Sequence, residues 1–223
     1  MSHSEPVPAA LRAALASDDW FAACPTVLQD VLLQQGRMRS LADGQSLFSR
    51  GGQADGLCCV TAGGLHIGAL HADGQPAELA YLEPYQWFGE IALIDGLPRT
   101  HDAVAEGDTQ VLVVPRDALV DWLDHHPAQW RELARLSTRK LRVAFVVLEE
   151  LAMLPLEERL QRRLRLLAKG YGSREAPRRR IRLGQETLAR MLGVSRQSVN
   201  KALKALETRG VLRLHYGEIE LLG

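Results

Sequence analysis

The segment Gln185–Lys204, QETLARMLGVSRQSVNKALK, carries side chains able to read nucleic-acid bases, at a spacing that one particular pair of helices makes useful. Ala189 is small where a second helix must approach the first, and Gly193 stands where the intervening turn needs a positive φ. Val199 returns a branched side chain to the shared core, which Leu188, Leu192, Val194 and Leu203 complete. Ser195 is a good N-cap for the helix that follows it. The pattern predicts a helix-turn-helix whose second helix lies in the DNA major groove with its N-terminal residues toward the base edges. Arg196 and Gln197 project there, and Lys201 lies one turn further on. Arginine forks onto guanine O6 and N7 and glutamine pairs with adenine N6 and N7, each contributing ~1–3 kcal/mol of discrimination. Gln185, Ser195 and Ser198 are better placed for phosphates, which position without specifying. The competing reading is an inert helical hairpin. Gly210–Leu222 reads as a second hairpin, of β type, closing a winged version of the motif.

Charge supports the nucleic-acid reading. The 223 residues carry 27 basic and 27 acidic side chains, so the net charge is zero, yet their distribution is lopsided. Pro155–Gly223 holds 16 Lys/Arg against 7 Asp/Glu, leaving 11 against 20 in Met1–Leu154. A basic module tethered to an acidic one suits a polyanion binder that uses only part of its surface.

The elements that position this module follow from pattern. Apolar residues at 46% and charged ones at 24% describe a globular chain with enough apolar content for two cores. Leu28–Gln35 reads as a short helix. From Gln45 to Pro115 short apolar runs alternate with turn signals at Gly51-Gly52, Gly63-Gly64, Asp73-Gly74 and Gly107-Asp108. Strands are expected at Gly56–Ala62, Leu65–Leu70, Glu78–Leu82 and Gln110–Val114, which together make a compact β-roll. Arg116–Leu123 fits a short helix, with Pro127 in the first turn of a long one from about Ala128 to Leu154 that Pro155 ends. Leu141, Ala144, Leu148 and Leu151 recur in steps of three and four, as in a coiled-coil seam, and predict a homodimer through this helix. The alternative is a helix buried within one monomer. Leu156–Ala168 is amphipathic, and Gly170–Arg182 reads as a loop or small hairpin. The fold class is therefore α+β, with a β-roll over residues 1–126, a dimerisation helix over 127–154 and a winged helix-turn-helix over 155–223. No apolar run approaches the ~18 residues of a membrane span, and Met1–Pro8 lacks a secretory start, so a cytoplasmic address with no membrane partner is expected. Cys24, Cys58 and Cys59 are most simply free thiols, the last two pointing to opposite faces of a strand.

At GVSRQSVNKALKALETRGVL in the tail, and at GGQADGLCCVTAGGL and FGEIALIDGLPRT in the front, the sequence resembles the CRP/FNR family of transcription regulators, the relatives of the cyclic AMP receptor protein. The resemblance covers nearly the whole chain from about Phe21. It implies a β-roll sensor, a dimerising helix, a palindromic double-stranded DNA operator and RNA polymerase as a further partner. Phe88–Thr100 resembles the family's phosphate-binding cassette, which implies that Gly89, Glu90, Ile91, Ala92, Arg99 and Thr100 surround an effector such as cyclic AMP. Gly89 permits close backbone approach, Glu90 can accept from a ribose hydroxyl, and Arg99 with Thr100 offers a charged fork and a hydroxyl to a phosphate. Glu90 and Arg99 could instead pair with each other. Members that bind cyclic AMP place two adjacent hydroxyl residues of the long helix against adenine, where this sequence has Ala144 and Phe145. The base is then held differently, with Phe145 against it, or the ligand is cyclic di-GMP, or no effector is needed. Gln197 stands where the family's best-known reader has Glu, and Lys201 where it has a second arginine, so the half-site need not be the familiar TGTGA.

Other classes fare worse. An iron–sulfur sensor needs four cysteine ligands and this chain has three. Haem could use His66, His71 or His101, although lone histidines in a β-roll are commonly surface residues. His101-Asp102 and His125-His126 come without any HExxH, nucleophile elbow or P-loop, which argues against an enzyme. A nucleotide-binding module acting on a protein partner would have no use for the reading helix.

Overall fold

The apolar runs between Arg37 and Pro115 close into a roll because two long strands lie side by side along its length. The computed structural model describes residues 10–70, 76–172 and 177–222. It divides into two units, one of the chain to Ala69 with Ala80–Arg139, the other of Leu70–Leu79 with Lys140 onward.

In the first unit three short helices, α1 (Leu11–Leu15), α2 (Asp19–Ala23) and α3 (Thr26–Gln35), precede strands β1 (Arg37–Leu41), β2 (Ser46–Phe48), β3 (Gly56–Leu70), β4 (Pro76–Leu82) and β5 (Trp87–Phe88). Helix α4 (Glu90–Asp95) and strand β6 (Asp102–Pro115) follow, then α5 (Arg116–His125) and α6 (Trp130–Met153). The sheet order is β1-β6-β3-β4, with β2 also on β6 and β5 on β3. Strand β3 pairs with β6 antiparallel from Gly56 opposite Pro115 to Gly68 opposite Asp102. The expected turns at Gly63-Gly64 and Gly107-Asp108 are instead a bulge inside this continuous pair, where the register shifts. Thr109 holds the bulge, its hydroxyl accepting from the Gly64 N–H at 3.2 Å and donating to the Gly64 carbonyl at 3.0 Å. The roll also begins earlier than expected, since β1 pairs with β6 over its whole length.

Neighbouring residues on β3 serve two cores. Cys58 packs inside the roll with Leu47, Val60, Leu65, Phe88 and Val111. Cys59 faces the helices with Trp20, Phe21, Leu32, Trp87, Leu119 and Leu133. Phe21 stacks on Trp87 at 5.6 Å, and the Trp20 indole N–H donates to the Glu132 carbonyl at 2.7 Å, joining α2 to the start of α6. Asp18 caps α2 by accepting from the Phe21 N–H at 3.0 Å and pairs with Arg139 at 3.3 Å. Burial raises the Asp18 carboxyl above the usual carboxylate range, and the Arg139 charge offsets this only in part. The long helix starts at Trp130, two residues later than expected, because His126 leaves helical φ/ψ and Pro127–Gln129 forms a separate 3₁₀ turn.

The second unit contains the rest of α6, then α7 (Leu156–Ala168), β7 (Arg180–Ile181), α8 (Gln185–Leu192), α9 (Arg196–Thr208), β8 (Leu212–His215) and β9 (Glu218–Leu221). Helix α7 has the expected bounds and buries Leu160, Leu164 and Leu167. The C-terminal hairpin forms, and β7 adds a third strand in the order β7-β9-β8.

Burial pushes the thiols of Cys24 and Cys58 up to about 12 and that of Cys59 well above its usual value. Thiolate is the reactive form, so the folded protein at pH 8 should give no rapid reaction with Ellman's reagent, and all three thiols should react after denaturation.

Candidate functional site

The reading head is built as the local sequence requires. Gly193 ends α8 in the left-handed region at φ +65, which redirects the chain into α9. The Ser195 hydroxyl accepts from the Ser198 N–H at 3.1 Å, the expected N-cap, and the two hydroxyls share a 2.9 Å hydrogen bond. Ala189, Leu188, Leu192, Val199 and Leu203 are all buried between the helices. That packing leaves Arg196, Gln197 and Lys201 exposed on one side of α9, with Ser198 half-buried. Gln185 is half-buried, and its carbonyl oxygen accepts from the Asn200 amide at 3.0 Å, a link across the motif that the sequence reading did not foresee. A groove of about 550 Å³ brings Gln185 and Arg196 together with the wing residues Leu214–Ile219. At the wing tip Tyr216 is fully exposed, a position marked in sequence only by its place in a tight hairpin.

The cassette lies in the first unit. Arg99 is only 4% exposed. Its guanidinium donates to the Gly56 carbonyl at 2.8 Å, to the Gly89 carbonyl at 3.1 Å and to the Asp55 carboxylate, and it stacks over the Phe48 ring at 4.1 Å. Asp55 and Phe48 are the partners sequence reasoning missed, since nothing in their local pattern points to a residue so far along the chain. The Arg99 Nε–H is buried and has no hydrogen-bond acceptor among the described residues. Gly89, at φ +91, passes so close that a Cβ there would lie 2.6 Å from the Arg99 Nη1 and 3.0 Å from the Gly56 oxygen. Glu90 and Ala92 are buried at the start of α4, whereas Ile91 and Thr100 are exposed. His101 shares a 2.9 Å hydrogen bond with the Thr100 hydroxyl, and burial, aided by Arg50, holds its imidazole below the usual histidine range. A neutral ring therefore flanks Thr100 at neutral pH. A buried guanidinium with a free N–H beside a glycine-lined loop fits an anionic group such as a phosphate.

Phe145, Leu141, Leu148 and Leu151 lie on the part of α6 that belongs to the other unit, and all four are about half exposed or more. Ala144 is exposed on the same helix. Of the histidines considered for haem, His66 lies tilted against the Tyr81 ring, centroids 5.2 Å apart, and 3.6 Å from Glu106, and His71 falls outside the described residues. Among the described residues no three His, Cys, Asp or Glu side chains form a cluster able to hold a metal ion, and no helix is long and apolar enough to cross a membrane.

Residues 38–126 match the cyclic nucleotide-binding domain family, and residues 158–222 match the Crp-like helix-turn-helix domain. A CRP-like cAMP-activated global transcriptional regulator of Mycobacterium tuberculosis is 32% identical over 173 residues, 77% of either chain. The cyclic AMP receptor protein of Thermus thermophilus is 34% identical over 196 residues, 86% of this chain and 87% of that one. The chain belongs to the CRP/FNR family. The solved structure of FixK2 from Bradyrhizobium japonicum shares the regulator's fold, with a TM-score of 0.74 over 84% of this chain and 93% of that one at 23% identity. This regulator is thus a DNA-binding transcription factor with a cyclic-nucleotide-binding domain in front of its reading head.

Two substitutions separate head from cassette in this regulator. Ser195→Ala should lower stability by about 1 kcal/mol through loss of the cap. Gly89→Ala should cost about 1–3 kcal/mol through backbone strain, and should displace Arg99 as well. Thermal unfolding checks both, and equal, negligible shifts would contradict the described geometry.

Proposed function

We propose that this regulator binds a palindromic operator as a homodimer and is switched by a cyclic nucleotide, with cyclic AMP the first candidate. The observation that carries the effector half is the buried Arg99 guanidinium, whose Nε–H has no acceptor among the described residues. A charge-assisted bond to a cyclic phosphate would satisfy it in a water-poor site. Thr100 adds a hydroxyl at the loop's exposed edge, and Glu90 is the carboxylate suited to a ribose hydroxyl. A second reading, independence from any effector, draws support from the Arg99–Asp55 pair, in which the protein's own carboxylate already answers the charge.

The operator half rests on the exposed trio Arg196, Gln197 and Lys201. Arg196 reads a guanine in each half-site, and two heads about 34 Å apart meet successive turns of one DNA face. The seam Leu141, Ala144, Leu148 and Leu151 supplies the dimer contact, because a soluble helix with so much apolar exposure needs a cover. RNA polymerase is the further partner, and the cytoplasm the place of action.

Calorimetry of the full-length protein tests the effector, with cyclic di-GMP as the comparison ligand. Micromolar cyclic AMP binding lost in Arg99→Ala supports the reading. Silence, together with full operator affinity of the ligand-free protein, selects effector independence. For the DNA half, Arg196→Ala should relax discrimination at one base by ~1–3 kcal/mol in fluorescence anisotropy. Leu148→Glu should give a monomer by sedimentation and weaken operator binding sharply, and a dimer that survived it would overturn the seam.

A further inference from the structure

A second hollow, of about 700 Å³, lies wholly within the unit that carries the reading head, and its lining has two chemistries. The floor is apolar, formed by Val143, Val146 and Val147 of α6, Leu166 of α7 and Leu221 of β9. Around it stand Arg142, Arg165, Lys169 and Arg179, none of which has a side-chain hydrogen-bond or ion-pair partner among the described residues. Among the described residues Glu150 is the single carboxylate of the lining, and it is buried and paired with Arg162 at 3.6 Å. Arg162 and Arg178, the other cations of the lining, have partners, whereas these four repel one another around a half-enclosed apolar floor with no further carboxylate among the described lining residues to offset them. DNA phosphates alone would satisfy the rim and leave the floor wet, whereas a bare hydrocarbon would fill the floor and leave the charges unanswered. The volume lies within the ~300–1,000 Å³ of small-molecule sites, and a few charged groups over an apolar lining is their usual composition.

We propose that this hollow binds an amphipathic polyanion, a hydrocarbon chain bearing a phosphate-containing head such as a prenyl diphosphate or an acyl-coenzyme A. The site is independent of the cassette and adds a second input to the regulator. Its walls are α6, which carries the seam leucines, and α7, joined at the break before Pro155. A ligand touching both walls holds the angle between them. That angle sets how the reading head is presented, so occupancy acts on operator affinity.

The test is calorimetry of the full-length protein with farnesyl diphosphate and with decanoyl-coenzyme A, each below its micelle concentration. Sodium decanoate and inorganic pyrophosphate serve as the half-ligands. At least one amphiphile should bind about tenfold or more tighter than either half-ligand, and the better of the two identifies the head. Arg165→Glu and Val146→Glu should each weaken it about tenfold or more while leaving the melting temperature unchanged, both side chains being partly or largely solvent-exposed. Arg99→Ala should leave it intact, which separates failure here from failure of the cassette. The proposal is overturned if neither amphiphile binds, if pyrophosphate binds as tightly as farnesyl diphosphate and decanoate as tightly as its thioester, or if binding survives both substitutions. Operator anisotropy at saturating amphiphile should shift affinity about threefold or more, and no shift would remove the regulatory role.

Discussion

A guanidinium buried inside a β-roll is the constraint around which the front of this protein is arranged. An unpaired internal charge costs several kcal/mol, so Arg99 has to be surrounded by acceptors. The roll supplies them from two separate stretches of chain, the Asp55 carboxylate and Gly56 carbonyl at the start of β3 and the Gly89 carbonyl before α4, with the Phe48 ring closing one face. Backbone bonds also join Arg99 to Gly51 and Gly52. The glycine at 89 follows from this crowding, because any Cβ would strike the guanidinium. One donor, the Arg99 Nε–H, has no hydrogen-bond acceptor among the described residues, and the proposed effector's anion would be placed there.

The back of the protein solves the opposite problem. There the cations are wanted at the surface, and mostly apolar residues present them: Leu188, Leu192, Val199 and Leu203 pack α8 against α9 and leave Arg196, Gln197 and Lys201 exposed. The turn of this head is a single left-handed glycine, and its second helix is capped by its own serine. Helix α6 carries exposed leucines along one side, and these form the seam through which a second copy is proposed to pair.

The helix-turn-helix was legible in the sequence because its determinants are local, although its second helix runs on to Thr208, past the Lys204 that ends the motif. Turn, cap and shared core all fall inside twenty residues, where helical spacing converts directly into geometry. The bounds of α7 and the stop at Pro155 were legible for the same reason, and the fold class and family followed from runs of residues read together. What the sequence left open involves partners far apart along the chain. Gly63-Gly64 and Gly107-Asp108 look like turns by composition, and only their mutual pairing, pinned by Thr109, makes them a bulge. Nothing near Asp55 or Phe48 marks them as the companions of Arg99. The hollow beside α6 draws its lining from four separate stretches between Arg142 and Leu222. Local propensity and capping act over a few residues and can be read from a string. The placement of a buried charge, a bulge or a binding cavity depends on which distant strands and helices meet, and only the folded chain decides that.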